Sequence, residues 1–139
     1  MTAADLTAIH DTLFSDIQGY TLSSNGRAKL QRESDPAFTY GEITPESIQM
    51  MMDTVQPQRG EVFYDLGSGT GKAVIFASLV APFAKSVGIE LVEDLWQAAN
   101  LARDRYEVQV KPTLHPEHHS KQIHFVNGSM FDQDLSDAG

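Results

Sequence analysis

The sequence contains no cysteine, which excludes several kinds of scaffold and site at once. Disulfide frameworks, cysteine-ligated zinc, iron–sulfur clusters and thiol nucleophiles all require that residue. Long apolar runs are also missing, since none approaches the roughly 18 residues that a membrane-spanning helix needs. The amino terminus lacks a basic segment followed by an apolar core. We therefore expect no membrane association, with a location in the cytoplasm, or in the nucleus if the source is eukaryotic.

Basic residues are scarce in this chain. Its 139 residues include 19 Asp and Glu against 10 Lys and Arg, which gives a net charge of −9. This balance argues against a nucleic-acid backbone as principal partner, because phosphates need a basic surface, but it permits a basic substrate. The apolar fraction of 41% and the charged fraction of 21% are those of an ordinary globular domain with a core of its own.

The first third of the chain predicts helices separated by a polar connector. An amphipathic helix is predicted over about residues 4–18, followed by a connector over residues 19–39. A second helix is predicted to begin at Thr44, whose hydroxyl can cap it, and to stop before Pro57. Its apolar positions recur at helical spacing and are Ile48, Met51, Met52 and Val55.

Beyond that helix, short β-forming runs alternate with helical patterns. Strands are predicted at residues 62–66, 86–90 and 123–126, and helices over residues 71–81 and 92–108. The intervening histidine-rich segment before the third strand predicts a solvated loop without a metal site, because no cysteine or organised acid accompanies the histidines. Strand–helix alternation predicts the α/β class, with a parallel sheet and right-handed crossovers.

The strongest functional signal is a glycine-rich segment between the first predicted strand and its helix. Asp65–Gly71 has the sequence Asp-Leu-Gly-Ser-Gly-Thr-Gly. Its glycines allow the backbone to turn sharply and to approach a ligand closely, and the helix that follows presents free N–H groups. Glu90 ends the next predicted strand, where an acid can accept hydrogen bonds from both hydroxyls of a ribose.

Three known nucleotide-binding motifs can be compared with this segment. A P-loop is excluded, because only three residues separate Gly67 from Gly71 and Ala73 follows the lysine. A dinucleotide fingerprint is weakened but stays open, because Lys72 occupies the place of its third glycine. An S-adenosylmethionine loop, Asp-x-Gly-x-Gly-x-Gly, fits throughout. The Asp65 carboxylate suits the ammonium and sulfonium of that cofactor and would repel a pyrophosphate.

The glycine segment and the acid that follows it resemble the cofactor site of class I methyltransferases. Upstream, Tyr40–Glu46 is similar to the Tyr-Gly-Glu segment of the disruptor-of-telomeric-silencing family, the histone-lysine methyltransferases that lack a SET domain. Gly88–Glu90 and Asp134–Ala138 follow in that family's order, so the resemblance covers about residues 38–138.

This resemblance implies a Rossmann-like methyltransferase fold with a defined set of contacts. Tyr40 and Glu42 would line the methyl-transfer side and are the implied catalytic residues. Ser129 stands where an Asp that accepts from adenine is common, and Met130 or Phe131 would pack against that base. The residues implied to bind S-adenosylmethionine, or its product S-adenosylhomocysteine, are Tyr40, Glu42, Thr44, Asp65, Gly67, Ser68, Gly69, Gly71, Glu90, Ser129, Met130 and Phe131.

We expect a helical extension and connector over residues 1–39 and the amino-terminal half of a methyltransferase domain over residues 40–139. The sheet would be incomplete, and its unpaired edge would favour a homodimer. The resemblance implies methyl transfer to a lysine of a basic protein partner. Methylation of a small molecule or of another protein side chain remains open, as does a non-catalytic module that only binds the cofactor.

Overall fold

The computed structural model describes residues 1–19, 21–22 and 43–139. Most of the predicted connector therefore lies outside the described residues. The boundary expected between residues 39 and 40 also lies outside the described residues. The division into a helical extension over residues 1–39 and a methyltransferase domain over residues 40–139 therefore stays a prediction.

Three parallel strands form the sheet of the described chain. They are β1 (Val62–Leu66), β2 (Lys85–Glu90) and β3 (Gln122–Asn127), in the order β1-β2-β3. Both pairs are parallel, and their register places Asp65 beside Gly88 at the carboxyl end of the sheet. The α/β class and the three predicted strands are confirmed, with β2 and β3 slightly longer than expected.

Helices flank this sheet as the sequence predicts. They are α1 (Ala3–Phe14), α2 (Pro45–Val55), α3 (Lys72–Val80) and α4 (Glu93–Arg105). A π-helical turn at Tyr106–Val110 extends α4, and 3-10 turns at Lys111–Thr113 and Pro116–His118 lead to β3. Within the described ranges, none of the helices combines the length and the apolar character needed to cross a membrane.

The start and the end of α2 show how closely local sequence sets these boundaries. The hydroxyl of Thr44 accepts a hydrogen bond from the backbone N–H of Ser47 at 3.2 Å, and Pro45 occupies the first helical position. Gln56 adopts a left-handed conformation with φ of 51°, which ends the helix just before Pro57. The predicted capping and stop signals of this helix are confirmed.

Three details of the prediction are wrong. Helix α1 ends at Phe14 rather than near residue 18. On α2, Met51 and Val55 are 46% and 65% exposed, because only the narrower face that carries Ile48 and Met52 meets the core. In the histidine-rich segment, His118 is buried rather than solvated, because it packs beside the end of α3.

Helix α1 belongs to the same hydrophobic core as the sheet. Its residues Leu6, Leu13 and Phe14 are buried together with Phe76 of α3 and Phe125 of β3. Burial of such large apolar side chains contributes about 1.5–3 kcal/mol each relative to leaving them in water. The amino-terminal helix is therefore part of the folded unit that carries the strands.

An arginine of α4 forms hydrogen bonds that hold the carboxyl-terminal end of α1 against α4. The Arg105 guanidinium donates to both carboxylate oxygens of Asp16, at 2.6 and 2.8 Å, and to the backbone carbonyl of Leu13 at 3.0 Å. The hydrogen bonds from Arg105 hold the pKa of Asp16 below its ordinary value. The contribution of the pair is thus present above the ordinary pKa of an aspartate and is lost as the pH falls through the lowered value.

We expect Arg105→Gln to lower the urea midpoint of unfolding at neutral pH, because the end of α1 loses three hydrogen bonds. The difference from the native sequence should shrink in acid, where Asp16 is protonated. Arg103→Gln is the matched control, since Arg103 lies on the same helix and, among the described residues, pairs only with its exposed neighbour Asp104 at 3.4 Å. Equal midpoints for the two variants would contradict the role given to Arg105.

Candidate cofactor-binding site

The glycine-rich segment forms the loop between β1 and α3. Gly67, Gly69 and Gly71 have φ angles of 85°, 58° and 88°, a region that side-chain-bearing residues rarely adopt. The N–H groups of Gly67 and Ser68 donate to the carbonyl of Ile89 at 2.8 and 3.1 Å, so the loop is fastened to the end of β2. The sequence-based assignment of a sharp loop at the carboxyl end of the sheet is confirmed.

Two of the glycines leave no room for a side chain. A Cβ atom on Gly71 would lie 2.4 Å from the ring of Phe125, and one on Gly88 would lie 2.5 Å from the hydroxyl oxygen of Ser68. That hydroxyl is buried and has no hydrogen-bond partner in the described structure. The Ser68 side chain therefore packs against β2, and its predicted cofactor contact stays a prediction.

Glu90 lies at the end of β2 and joins the loop to the start of α4. Its two carboxylate oxygens each accept one backbone hydrogen bond at 2.8 Å, from Gly69 and from Val92. The side chain is 8% exposed. Because a carboxylate offers about four acceptor positions, roughly two remain for further donors. Glu90 thus fixes the glycine loop, and it retains capacity to bind ligand hydroxyls.

Asp65 lies near Glu90 without a compensating cation among the described residues. Its carboxylate makes no hydrogen bond in this part of the chain, and burial, followed by the charge of Glu90, raises its pKa above the ordinary value. Two acids held together in this way favour a cationic ligand, because a positive charge would relieve their mutual repulsion.

The segment after β3 supplies the remaining edge of the site. The side chain of Asn127 donates to the carbonyls of Glu90 and Leu91 at 3.0 and 3.3 Å, which joins the ends of two strands. Ser129 accepts from the N–H of Phe131 at 3.2 Å and so caps the turn Met130–Asp132.

Both predicted adenine neighbours stand at the surface of this edge. Phe131 is 89% exposed and Met130 is 38% exposed. An exposed aromatic ring just after β3, at the carboxyl end of the sheet, offers a flat apolar face to a planar base. The predicted contacts of Ser129, Met130 and Phe131 with adenine stay predictions.

The amino-terminal part of the predicted site is described only in part. Tyr40 and Glu42 lie outside the described residues. Thr44 is described, and it lies at the start of α2, in a cavity that it shares with Lys72 at the start of α3. The structure thus brings Thr44 next to the helix that follows the glycine loop. Within the described ranges, no group of three or more His, Asp or Glu side chains is placed to hold a metal ion.

Some contributors to the site could not be read from the sequence. The bonds from Glu90 to Gly69 and Val92, and those from Asn127, depend on strands meeting in the folded sheet. A polar residue directly after the predicted third strand is the one sequence signal that could have identified Asn127. An acid at the end of β2 predicts a ligand contact, but its second role in holding the loop has no sequence signature.

The sheet, the glycine loop at its carboxyl edge and the acid that ends β2 define a Rossmann-like nucleotide-cofactor domain. A comparison with protein families narrows this class. The profile of the family described as histone methylation protein DOT1 matches residues 23–138. The chain therefore belongs to the DOT1 family, and the resemblance predicted from its sequence is confirmed.

Individual relatives match over short stretches. The chain is 41% identical over 66 residues to a histone-lysine N-methyltransferase, H3 lysine-79 specific, of Caenorhabditis elegans, which covers 48% of this chain and 7% of that protein. It is 37% identical over 87 residues to the protein of the same description in Eremothecium gossypii, over 62% of this chain and 15% of that protein. The chain thus spans only a small fraction of these curated relatives.

Solved structures are more distant. A SAM-dependent methyltransferase from Thiobacillus denitrificans, in complex with S-adenosyl-L-homocysteine, superposes with a TM-score of 0.45 at 17% identity, over 78% of this chain and 35% of that chain. Similarity at this level carries no inference about function.

Proposed function

We propose that this chain binds S-adenosylmethionine at its glycine loop and forms the cofactor-binding part of a histone-lysine methyltransferase. The observation that carries the proposal is the pairing of Asp65 and Glu90 at that loop, without a compensating cation in the described structure. Membership in the DOT1 family supports the same assignment.

The groups at the loop fit this cofactor in charge and in hydrogen-bonding capacity. An ammonium and a sulfonium suit the uncompensated carboxylate of Asp65, and the free acceptor positions of Glu90 suit ribose hydroxyls. The exposed ring of Phe131 suits adenine. The pyrophosphate of a dinucleotide would instead add negative charge beside two acids, which disfavours the alternative that the sequence left open.

When bound, S-adenosylmethionine supplies an electrophilic methyl group for direct displacement by an amine. The contribution of the chain is to hold and orient its ligand through the loop, Asp65 and Glu90. Tyr40 and Glu42 remain the predicted residues of the methyl-transfer side, and Glu42 is the general-base candidate that the sequence resemblance offers for the amine proton. A substrate lysine must first lose its proton, so its surroundings must exclude water and lower its pKa.

A histone lysine is the acceptor that the relatives suggest. Those in Caenorhabditis elegans and Eremothecium gossypii are described as specific for lysine 79 of histone H3. The net charge of −9 agrees with a basic protein partner. Such a substrate would place the protein in the nucleus of a eukaryotic cell. Pairing of two copies through an outer strand of the sheet stays a prediction.

Mass spectrometry of nucleosomes incubated with the chain and S-adenosylmethionine tests this proposal. We expect a histone lysine to gain the mass of one or more methyl groups. Glu90→Ala should abolish the product, because the variant loses both a ligand contact and the bond that fixes Gly69. Asp104→Ala is the matched control, since Asp104 is an exposed acid far along α4. A chain that fails to bind S-adenosylmethionine would contradict the proposal. A chain that binds the cofactor but methylates no histone would favour a module that only binds the cofactor.

A further inference from the structure

The cavity that Thr44 shares with Lys72 has a volume of about 340 Å³ and lies where α1 meets the starts of α2 and α3. Its lining side chains come from three separate parts of the chain and are Thr7, His10, Ile43, Thr44, Pro45, Glu46 and Lys72. Helix α1 lies outside residues 23–138, the segment that matches the DOT1 family. Whatever α1 adds to this cavity is therefore a feature of this chain and not of the matched segment.

The imidazole of His10 is held in a defined position against aromatic rings. It stacks on Phe76 with a centroid distance of 6.1 Å and an interplanar angle of 19°, and its centroid lies 5.6 Å from that of Phe14. The ammonium of Lys72 lies 5.5 Å from the centroid of the same Phe14 ring. Both nitrogen-bearing side chains line the cavity, and α1 supplies one of them.

The imidazole has no strong partner of its own among the described residues. Its Nδ1 lies 3.6 Å from the exposed carboxylate of Asp11, which is longer than a hydrogen bond. The hydroxyl of Thr7 donates to the backbone carbonyl of Ala3 at 3.0 Å and retains acceptor capacity. His10 is thus free to donate a hydrogen bond to a ligand in the cavity.

The position and polarity of the cavity indicate what it would hold. Lys72 directly follows Gly71, so the cavity adjoins the last turn of the glycine loop. The donor on His10 and the positive charge of Lys72 suit a carboxylate. A ligand whose ammonium binds Asp65 carries such a carboxylate beside it when it ends in an α-amino acid.

We propose that His10 of α1 binds the α-carboxylate at the amino-acid end of the cofactor and extends the site beyond the family-matched segment. This inference rests on the proposed function, since that cofactor ends in a methionine moiety. It makes His10 a specificity-determining residue that distinguishes an adenosyl amino acid from a plain thionucleoside. Helix α1 then serves both the core and the ligand site.

Calorimetric titration with two ligands tests the inference. S-adenosylhomocysteine carries the amino-acid end, and 5′-methylthioadenosine lacks it. His10→Phe keeps the aromatic packing but removes both ring nitrogens, and His10→Gln retains a donor. We expect His10→Phe to bind S-adenosylhomocysteine about tenfold more weakly, the loss of one hydrogen bond to a charged group, with less than about a twofold change for 5′-methylthioadenosine. His10→Gln should restore part of the loss.

The matched control is His124→Gln, because His124 is an exposed histidine on β3 that bonds only to Gln122 in the described structure. Thermal unfolding of each variant establishes that it is folded. Unchanged affinity of His10→Phe for S-adenosylhomocysteine would overturn the inference and leave the proposed function intact. Equal weakening of both ligands would also overturn it, because His10 would then act through packing alone. If the native chain bound neither ligand, the proposed function itself would fail.

Discussion

Asp65→Asn should weaken the binding of S-adenosylhomocysteine by about a hundredfold, the effect of removing one partner of a close charged contact. The substitution keeps the size and shape of the side chain and removes its charge. The carboxylate of Asp65 has no compensating cation in the described chain, so a cationic ligand group is its natural partner. Asp104→Asn, an exposed acid on α4, should bind like the native chain. Equal affinities for the two variants would contradict the role of Asp65.

The same substitution should stabilise the ligand-free chain at neutral pH. Burial and the neighbouring Glu90 raise the pKa of Asp65 above the ordinary 3.8, so the folded chain holds this proton more tightly than the unfolded chain does. Stability is therefore lost as the pH rises from the ordinary value through the raised one. An asparagine side chain does not ionise in this pH range, so the variant keeps its stability as the pH rises.

Urea unfolding at about pH 3 and about pH 7 measures this effect. We expect the free energy of unfolding of Asp65→Asn to exceed that of the native chain by more at the higher pH than at the lower. A variant that is less stable than the native chain at neutral pH would show that Asp65 has a stabilising partner. If Asp65→Asn binds S-adenosylhomocysteine more weakly but has a higher free energy of unfolding, then Asp65 contributes to ligand binding at the expense of stability.

Gly71→Ala should destabilise the fold by about 3 kcal/mol, the sum of backbone strain and overpacking. The alanine would have to adopt a φ of 88°, and its Cβ would lie 2.4 Å from the ring of Phe125 in the core. Gly60→Ala is the matched control, because Gly60 has the same φ of 88° and nothing within 4 Å of the added Cβ. That control should cost only about 1 kcal/mol, from strain alone.

Chemical denaturation of the two variants separates strain from crowding. The difference between their free energies of unfolding measures the energetic cost of steric crowding between position 71 of the glycine loop and Phe125 of β3. If Gly71→Ala and Gly60→Ala lower the free energy of unfolding by the same amount, then the close packing of Gly71 against Phe125 does not contribute to the effect. The account of the loop as a packed element would then be wrong.

The elements of this fold follow from local signals in the sequence. The capping hydroxyl of Thr44, the glycines of the loop and the short β-forming runs each predict their structure from neighbouring residues. Asp65 and Glu90 could be placed at the same edge of the sheet, because the carboxyl ends of parallel strands lie together. The class and the loop were therefore accessible without coordinates.

The rest depends on contacts between distant segments. No spacing in the sequence shows that Arg105 fastens Asp16, or that His10 reaches the cavity beside Lys72. Helical periodicity predicts that α2 has an apolar face, but it does not predict the width of that face. The width depends on which elements pack against the helix. Met51 is consequently exposed on a helix whose pattern had predicted its burial.

The central claim is that the glycine loop and its two acids form a site for an adenosyl amino acid and not for a dinucleotide. Calorimetric titration of the 139-residue chain with S-adenosylhomocysteine and, separately, with NAD tests this claim most directly. We predict saturable binding of S-adenosylhomocysteine at one site, its loss in Glu90→Ala, and no binding of NAD. Binding of NAD without binding of S-adenosylhomocysteine would contradict the account.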